Sequence, residues 1–315
     1  MPDETKPIPD HLPAPRRKRR GISALPTLFT LGNCLCGFAS LHYAARGVGE
    51  TLSTATTQPT PFASNYAIAG YFIFAAMLFD MFDGFVARLT RSTSDFGAEL
   101  DSLADIVSFG VAPAFLALHL ISDILAQRYS PETGRSYWEF LGPAADNHIG
   151  KLFWVIGAIY VCCTAMRLAR FNVITKHDLD SHMSFKGLPS PGAGAVVASS
   201  IIFFETLFAD QHVVWFNVSE PVKQMLRAWF AHAMPAILLL AALLMVSRFS
   251  YAHLINRFLR GRKRFRDVVA LFLLVMLLVW QPQITALVAI YAYASSAPLM
   301  AALAKIWPAK PPAST

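Results

Sequence analysis

Four aspartates at regular spacing are the residues of this chain whose type and position are best suited to chemistry. They lie in one 26-residue stretch, at Asp80, Asp83, Asp101 and Asp105. The first two lie three residues apart and the last two lie four apart, so each pair falls on one face of a predicted helix. Apolar runs precede and follow the stretch, and a short polar connection at 89–96 joins the two helices. Acidic side chains at a membrane boundary are costly and are usually functional.

The two acidic helix faces are predicted to meet. A short connection makes the two helices antiparallel neighbours, which brings the four carboxylates together. Carboxylates in one place repel each other, and only Arg88 and Arg91 are close enough in the sequence to balance them. A hard divalent cation such as Mg2+ or Mn2+ would relieve this repulsion through oxygen ligands. The alternative is a solvated acidic helix end capped by Arg88, but such an end has no need of glycines on the same face.

Three further segments place polar side chains near predicted helix ends. Thr30 and Asn33 begin the first apolar run, either as ordinary helix-packing residues or as a hydrogen-bonding wall for a nucleotide or polar head group. Arg167 and Arg170 close the fourth run, where they either snorkel to lipid phosphates or bind a substrate phosphate or carboxylate. Lys186 lies in a loop with glycine and proline that either only connects two helices or lines an alcohol site.

Long apolar runs must position these side chains. The chain has 315 residues, of which 55% are hydrophobic and 15% are charged, and a soluble domain carries more charge. A helix needs about 20 residues to cross a bilayer. Eight runs are predicted to do so, at about 25–45, 66–87, 101–121, 151–170, 191–209, 229–247, 267–281 and 284–304. The sequence therefore predicts an all-α, polytopic transmembrane helix bundle of about eight spans, the seventh being short.

The bundle divides the chain into three predicted parts. Residues 1–24 form a basic cytoplasmic tail, 25–247 form the transmembrane core with the aspartates, and 248–315 form a basic loop, a helical hairpin and a C-terminal tail. The four cysteines all lie in apolar runs without partners at zinc-ligand spacing, so we interpret them as small core residues.

The distribution of basic residues predicts the orientation. With a cytoplasmic N-terminus and an even number of spans, 21 of the 27 Lys and Arg residues fall on the cytoplasmic side. Both termini and the aspartates then face the cytoplasm. We therefore interpret the net charge of +7 as a signal for orientation and anionic lipids, not for nucleic acid.

The spacing within the acidic stretch resembles the signature of the CDP-alcohol phosphotransferases. All eight positions of that signature are filled, by Asp80, Asp83, Gly84, Ala87, Arg88, Gly97, Asp101 and Asp105. The segments LPTLFTLGNCLCGFAS, RLARFN and FKGLPSPGA resemble the integral-membrane phosphatidylserine synthases of bacteria and archaea, over roughly residues 24–200. Thr27 departs from that pattern, since many relatives carry Asn at this position.

This resemblance implies an activity, a cofactor and a setting. The expected reaction transfers the phosphatidyl group of CDP-diacylglycerol to the hydroxyl of L-serine and releases CMP, with two Mg2+ or Mn2+ ions. Asp80, Asp83 and Asp101 would be the main metal ligands, while Asp105 would touch the second metal and act as general base. The expected setting is the cytoplasmic membrane, with the active site facing the cytoplasm, and the expected assembly is a homodimer.

The resemblance also implies which residues meet the substrates. Those assigned to CDP-diacylglycerol are Gly84, Ala87, Arg88 and Gly97, together with Thr30 and Asn33. Those assigned to the acceptor side are Arg167, Arg170 and Lys186.

Two alternatives remain at the level of sequence. The same chemistry could use glycerol 3-phosphate, inositol or inositol phosphate as the acceptor, because the arginines and the lysine would suit a phosphate equally well. A divalent-cation channel or transporter could instead use the aspartates as its filter. A transporter would need polar groups that continue through the membrane midplane, whereas spans two and three are apolar beyond the aspartates.

Overall fold

The computed structural model describes residues 24–47, 64–90, 95–129, 141–143, 145, 147–177, 187–208, 219–249, 251 and 265–306. Regular structure within these ranges is entirely helical, which confirms the predicted fold class. The predictions for the N-terminal tail, the basic loop, Arg91 and Lys186 concern positions outside the described residues. The helices are α1 (Ala24–Arg46), α2 (Asn65–Thr90), α3 (Asp95–Asp105), the π-helix π1 (Ile106–Val111), α4 (Ala112–Tyr129), α5 (His148–His177), α6 (Ser190–Phe208), α7 (Glu220–Val246), α8 (Phe265–Trp280) and α9 (Pro282–Ile306).

Six of the described helices are long and apolar enough to cross a membrane. They are α2, the continuous helix from α3 to α4, α5, α6, α7 and α9. The predicted count of eight spans therefore stays a prediction. Helix α1 has 23 residues but carries Asn33, His42 and other polar side chains, and α8 has 16 residues with an apolar part at Val269–Trp280.

The connection between the two acidic helices is shorter than the sequence predicts. Helix α2 continues to Thr90 and α3 already begins at Asp95, six residues before the predicted start of the third span. Gly97, Asp101 and Asp105 all lie on α3.

Helices α4 and α6 form the centre of the bundle. They are the most buried of the six long apolar helices, and Phe109, Leu116 and Ile201 are fully enclosed between them and their neighbours. Helix α1 packs along α2, where the ring of Phe29 lies 6.3 Å from that of Phe79. This packing brings the polar face of α1 to the acidic end of α2.

A π-helix joins α3 to α4 directly after Asp105. The wider π turn is visible in the hydrogen bond from the Ala112 N–H to the Val107 carbonyl. Tyr160 of α5 donates from its hydroxyl to the Phe109 carbonyl at 3.0 Å. This bond gives the Phe109 carbonyl a hydrogen-bond partner within the irregular turn. π-Helices are frequent at functional sites.

The last two helices form a hairpin that docks on α6. Gln281 separates α8 from α9, and α9 packs against α6. The hydroxyls of Tyr291 and Ser200 lie 2.7 Å apart, and Tyr251 donates from its hydroxyl to the Ala294 carbonyl at 2.8 Å. These bonds fix α9 against the core.

Candidate active site

Three carboxylates converge at the end of α2. Asp80 of α2 meets Asp101 and Asp105 of α3, and one oxygen from each lies within 4.8 Å of the other two. Asp101 and Asp105 stand one turn apart on α3, so both point to the same side. The helix faces defined by the sequence motif therefore meet in three dimensions.

Helix α1 holds the two buried aspartates of the cluster. Asn33 donates from Nδ2 to Oδ1 of Asp105 at 3.0 Å, and Thr30 donates from Oγ1 to Oδ2 of Asp83 at 3.1 Å. All four of these side chains are buried, and Asn33 is fully enclosed. Asparagine and threonine one turn apart on α1 thus fix two carboxylates that come from two different helices.

Asp83 lies at the edge of the cluster. It is not among the three carboxylates that converge within 4.8 Å, but its carboxyl group is adjacent to that of Asp101. Asp80 and Asp101 are only partly buried, whereas Asp83 and Asp105 are buried. The cluster is therefore closed towards α1 and accessible at Asp80 and Asp101.

Ser108 supports the site in a way that the motif does not reveal. Its hydroxyl donates to the Asn33 carbonyl at 2.9 Å, which ties π1 to α1 beside Asp105. A Cβ at Gly37 would lie 2.5 Å from the Ser108 oxygen, so the close approach of α1 and π1 requires glycine. The only sequence signal for Ser108 is its polarity within an apolar run.

Arg167 of α5 is a cation close enough to interact with the carboxylates. Its guanidinium interacts electrostatically with Asp80 and Asp105. Its Nη1 donates to the hydroxyl of Ser190 at 2.8 Å, and its Nε is buried without a hydrogen-bond partner among the described residues. An arginine with an unused donor in this position is suited to an anion.

The donor set fits a divalent cation. At the separations found here, each pair of ionised carboxylates repels by about 3 kcal/mol at the effective dielectric of a protein surface. Oδ1 of Asp101 is buried without a hydrogen-bond partner within the described part of the chain, so it is free to coordinate. Oxygen donors of this kind suit Mg2+ or Mn2+.

The remaining predicted site residues differ in their burial and in how much of each the structure describes. Gly84 and Ala87 lie on α2 beyond Asp83, and Gly97 lies one turn before Asp101, all partly buried. Arg170 is exposed at the end of α5. Of Arg88 only the backbone is described, and Lys186 lies outside the described residues.

Asn172 and Ser102 form a bridge beside the carboxylates. Nδ2 of Asn172 donates to the hydroxyl of Ser102 at 3.0 Å, which ties the end of α5 to α3 next to Asp101. The sequence motif gives no signal for Ser102, because a serine on the exposed side of an acidic helix is common.

Comparisons with known proteins agree with this architecture. The family model for CDP-alcohol phosphatidyltransferase matches residues 23–244. A CDP-diacylglycerol–serine O-phosphatidyltransferase of Helicobacter pylori is 29% identical over 177 residues, which cover 56% of each chain. The protein of that name from Bacillus subtilis is 30% identical over 174 residues, covering 55% of this chain and 72% of the relative.

An archaeal relative shows the same degree of similarity. An archaetidylserine synthase of Methanothermobacter thermautotrophicus is 30% identical over 185 residues, covering 58% of this chain and 60% of the relative. In two of these three comparisons, the chain thus spans little more than half the length of the relative. The family match includes every described carboxylate of the cluster and the long apolar helices up to α7. The chain is therefore an integral membrane protein that belongs to the CDP-alcohol phosphatidyltransferase family.

Proposed function

We propose that this chain transfers the phosphatidyl group of CDP-diacylglycerol to the hydroxyl of L-serine, which yields phosphatidylserine and CMP. The observation that carries the proposal is the convergence of Asp80, Asp101 and Asp105 within 4.8 Å, opposite Arg167. The serine specificity is supported by relatives named for serine transfer.

The four aspartates are assigned two roles, metal binding and proton transfer. Asp80, Asp83 and Asp101 would hold two Mg2+ or Mn2+ ions, which would offset negative charge on the pyrophosphate and on the leaving CMP. Asp105 accepts the proton of the serine hydroxyl as the serine oxygen attacks the phosphorus of the phosphatidyl group. The bond between that phosphorus and the CMP oxygen breaks, and CMP leaves with the bonding electrons. Asn33 keeps the Asp105 carboxylate oriented through its hydrogen bond.

The other site residues bind and orient the two substrates. Gly84, Ala87, Arg88 and Gly97 line the nucleotide side, with Thr30 and Asn33 acting through the carboxylates that they hold. Arg167 binds the carboxylate of serine, because a guanidinium forms strong, charge-assisted hydrogen bonds to carboxylate oxygens. Arg170 and Lys186 remain candidates for the entrance to the acceptor side.

The proposed reaction takes place at the surface of the membrane. The diacylglycerol tails stay in the bilayer, while serine and CMP exchange with cytosolic water. The cytoplasmic orientation in the inner membrane is supported by the positions of 21 of the 27 Lys and Arg residues. The homodimer rests on the family resemblance alone.

An acceptor panel tests the proposed function. Purified protein in liposomes receives CDP-diacylglycerol, Mn2+ or Mg2+, and one labelled acceptor at a time: serine, glycerol 3-phosphate or inositol. We expect lipid-soluble label and CMP release with serine alone, and loss of both after addition of EDTA. Incorporation of another acceptor would still support the phosphotransferase reaction but would reject serine as the acceptor. Metal flux without CMP release would favour the transporter alternative.

A further inference from the structure

The C-terminal helix reaches the acceptor side of the site. Helix α9 lies beyond residue 244, where the family match ends, yet it packs against the start of α6. The start of α6 carries Ser190, which accepts the hydrogen bond from Arg167. A residue of α9 that faces this point is therefore in a position to contribute to acceptor binding.

Tyr293 is that residue. A Cβ built on Gly192 would lie 3.6 Å from Cε1 of Tyr293, so the tyrosine ring packs over the first turn of α6, two residues from Ser190. The Tyr293 side chain is partly buried and packs against the core.

Two contacts hold Tyr293 in place. The ring of Tyr251 lies 5.6 Å from that of Tyr293, and the Tyr251 hydroxyl donates to the carbonyl of Ala294 at 2.8 Å. Burial raises the pKa of Tyr251 to about 12, so its hydroxyl remains a donor at every physiological pH. This hydrogen bond holds the backbone of α9 next to Tyr293.

Tyr293 also faces Arg167. The phenol and the guanidinium interact electrostatically, while the guanidinium is in turn within range of Asp80 and Asp105. Arg167 therefore interacts with both the carboxylates and Tyr293. Its buried Nε, which has no partner among the described residues, leaves one donor for an incoming group.

We propose that Tyr293 and Arg167 together bind the anionic group of the acceptor alcohol. This inference rests on the proposed function and identifies the acceptor side of the same site. A carboxylate has two oxygens, and the arginine donor and a tyrosine hydroxyl can each satisfy one of them. The C-terminal hairpin then acts in acceptor selection and is more than a membrane anchor.

Kinetics of Tyr293 variants test the inference. Tyr293→Phe removes only the hydroxyl, and Tyr293→Ala also removes the ring. Tyr291→Phe is the matched control, because it removes a hydroxyl from the same helix that bonds to Ser200 and not to the Arg167 side. Each protein is assayed in liposomes for the KM of the acceptor and the KM of CDP-diacylglycerol, and its thermal unfolding is recorded.

We expect Tyr293→Phe to raise the KM of the acceptor about 10-fold, as for loss of a hydrogen bond to a charged group. The KM of CDP-diacylglycerol should stay within about twofold of wild type, and Tyr291→Phe should leave both constants unchanged. An unchanged acceptor KM in Tyr293→Phe would overturn the inference. Equal increases in both KM values would do so too, since they indicate a general structural role.

The two proposals can fail separately. The wild-type protein alone decides the proposed function, through the acceptor that it incorporates. The inference is decided by the ratio of variant to wild-type KM for that acceptor. If serine is incorporated and Tyr293→Phe has the wild-type KM for serine, only the inference is rejected. Incorporation of inositol, which has no anionic group, rejects both proposals.

Discussion

The surroundings of Asp105 suit the general-base role that we propose for it. It is buried, it accepts a hydrogen bond from Asn33, and it lies within 4.8 Å of Asp80 and Asp101. The hydrogen bond fixes the orientation of the carboxylate. A general base needs this combination of fixed geometry and access to the proton that it removes.

Replacement of the proposed base should abolish turnover with little effect on folding. Asp105→Asn keeps the volume and a hydrogen-bonding oxygen but cannot accept the proton of the acceptor alcohol. We expect CMP release to fall at least about 100-fold, in the range found for loss of a general base. The variant should still bind CDP-diacylglycerol in an equilibrium assay. Turnover near the wild-type rate with intact metal binding would remove Asp105 from this role.

The hydrogen bond from Asn33 makes its own prediction. Asn33→Ala leaves the Asp105 oxygen without its donor, and we expect kcat to fall about 10-fold, since the lost bond is to a charged group. Ser40→Ala is the matched control, because Ser40 is equally buried on the same helix but its hydroxyl bonds to no described residue. Equal rates in the two variants would contradict the positioning role.

The sequence could identify the aspartates but not their partners. The spacing of the motif fixes which carboxylates share a helix face, because that depends only on helical periodicity. The pairing of Thr30 with Asp83 and of Asn33 with Asp105 joins residues that are far apart in the chain. Such pairings depend on how α1 packs on α2 and π1, and periodicity carries no information about that packing.

At the scale of elements, the junction before α6 positions the acceptor side. Gly187 has φ of 91°, and its N–H donates to the Phe249 carbonyl at 2.8 Å. Leu188 donates from its N–H to the Leu244 carbonyl at 2.9 Å, which ties the start of α6 to the end of α7. This junction sets the position of Ser190 and, through it, of Arg167.

Substitution at Gly187 should disturb this junction. A Cβ there would lie 2.3 Å from the Met245 carbonyl oxygen, and the positive φ disfavours any L side chain. We expect Gly187→Ala to destabilise the protein by about 1–3 kcal/mol, seen as a lower midpoint of thermal unfolding in detergent. Gly192→Ala is the control for stability, since its Cβ would make only ordinary contacts at 3.5 Å or more. Equal unfolding midpoints for Gly187→Ala and Gly192→Ala would show that the junction tolerates a side chain at position 187.

The helical elements themselves were partly predictable. Long apolar runs predict the positions of most helix ends to within a few residues, with the largest differences at the start of α7 and at the ends of α4 and α5. The π-helix was not predictable, because IVSFGV has no feature that distinguishes it from an α-helical segment. Its geometry depends on tertiary contacts such as the bond from Tyr160 to the Phe109 carbonyl.

At the scale of the whole molecule, a second polar network lies at the opposite end of the bundle. Glu205 of α6 interacts with Ser64, Asp123 and Arg227, which belong to three other parts of the chain. The Ser64 hydroxyl also accepts the N–H of Tyr66 at the start of α2. Asp101 and Asp123 lie on one continuous helix, so the network is about 30 Å from the active site.

We expect this network to stabilise the fold without affecting catalysis. Glu205→Gln weakens the interaction with Arg227 and should cost about 1–3 kcal/mol of stability, detected as a lower unfolding midpoint. The KM values and kcat measured below that midpoint should equal those of wild type. A change in the KM of either substrate at unchanged stability would show that the network reaches the active site.

The central claim is that the converging carboxylates make CMP release depend on a divalent cation. The most direct test is Mn2+ titration of CMP release from CDP-diacylglycerol with serine, in wild type, Asp101→Asn and Glu99→Gln. Glu99 is an exposed carboxylate on the same helix, which makes it a matched control for charge. We expect saturable Mn2+ dependence in wild type and Glu99→Gln, and at least about 100-fold less CMP release in Asp101→Asn. Wild-type release by Asp101→Asn at every Mn2+ concentration would contradict this claim.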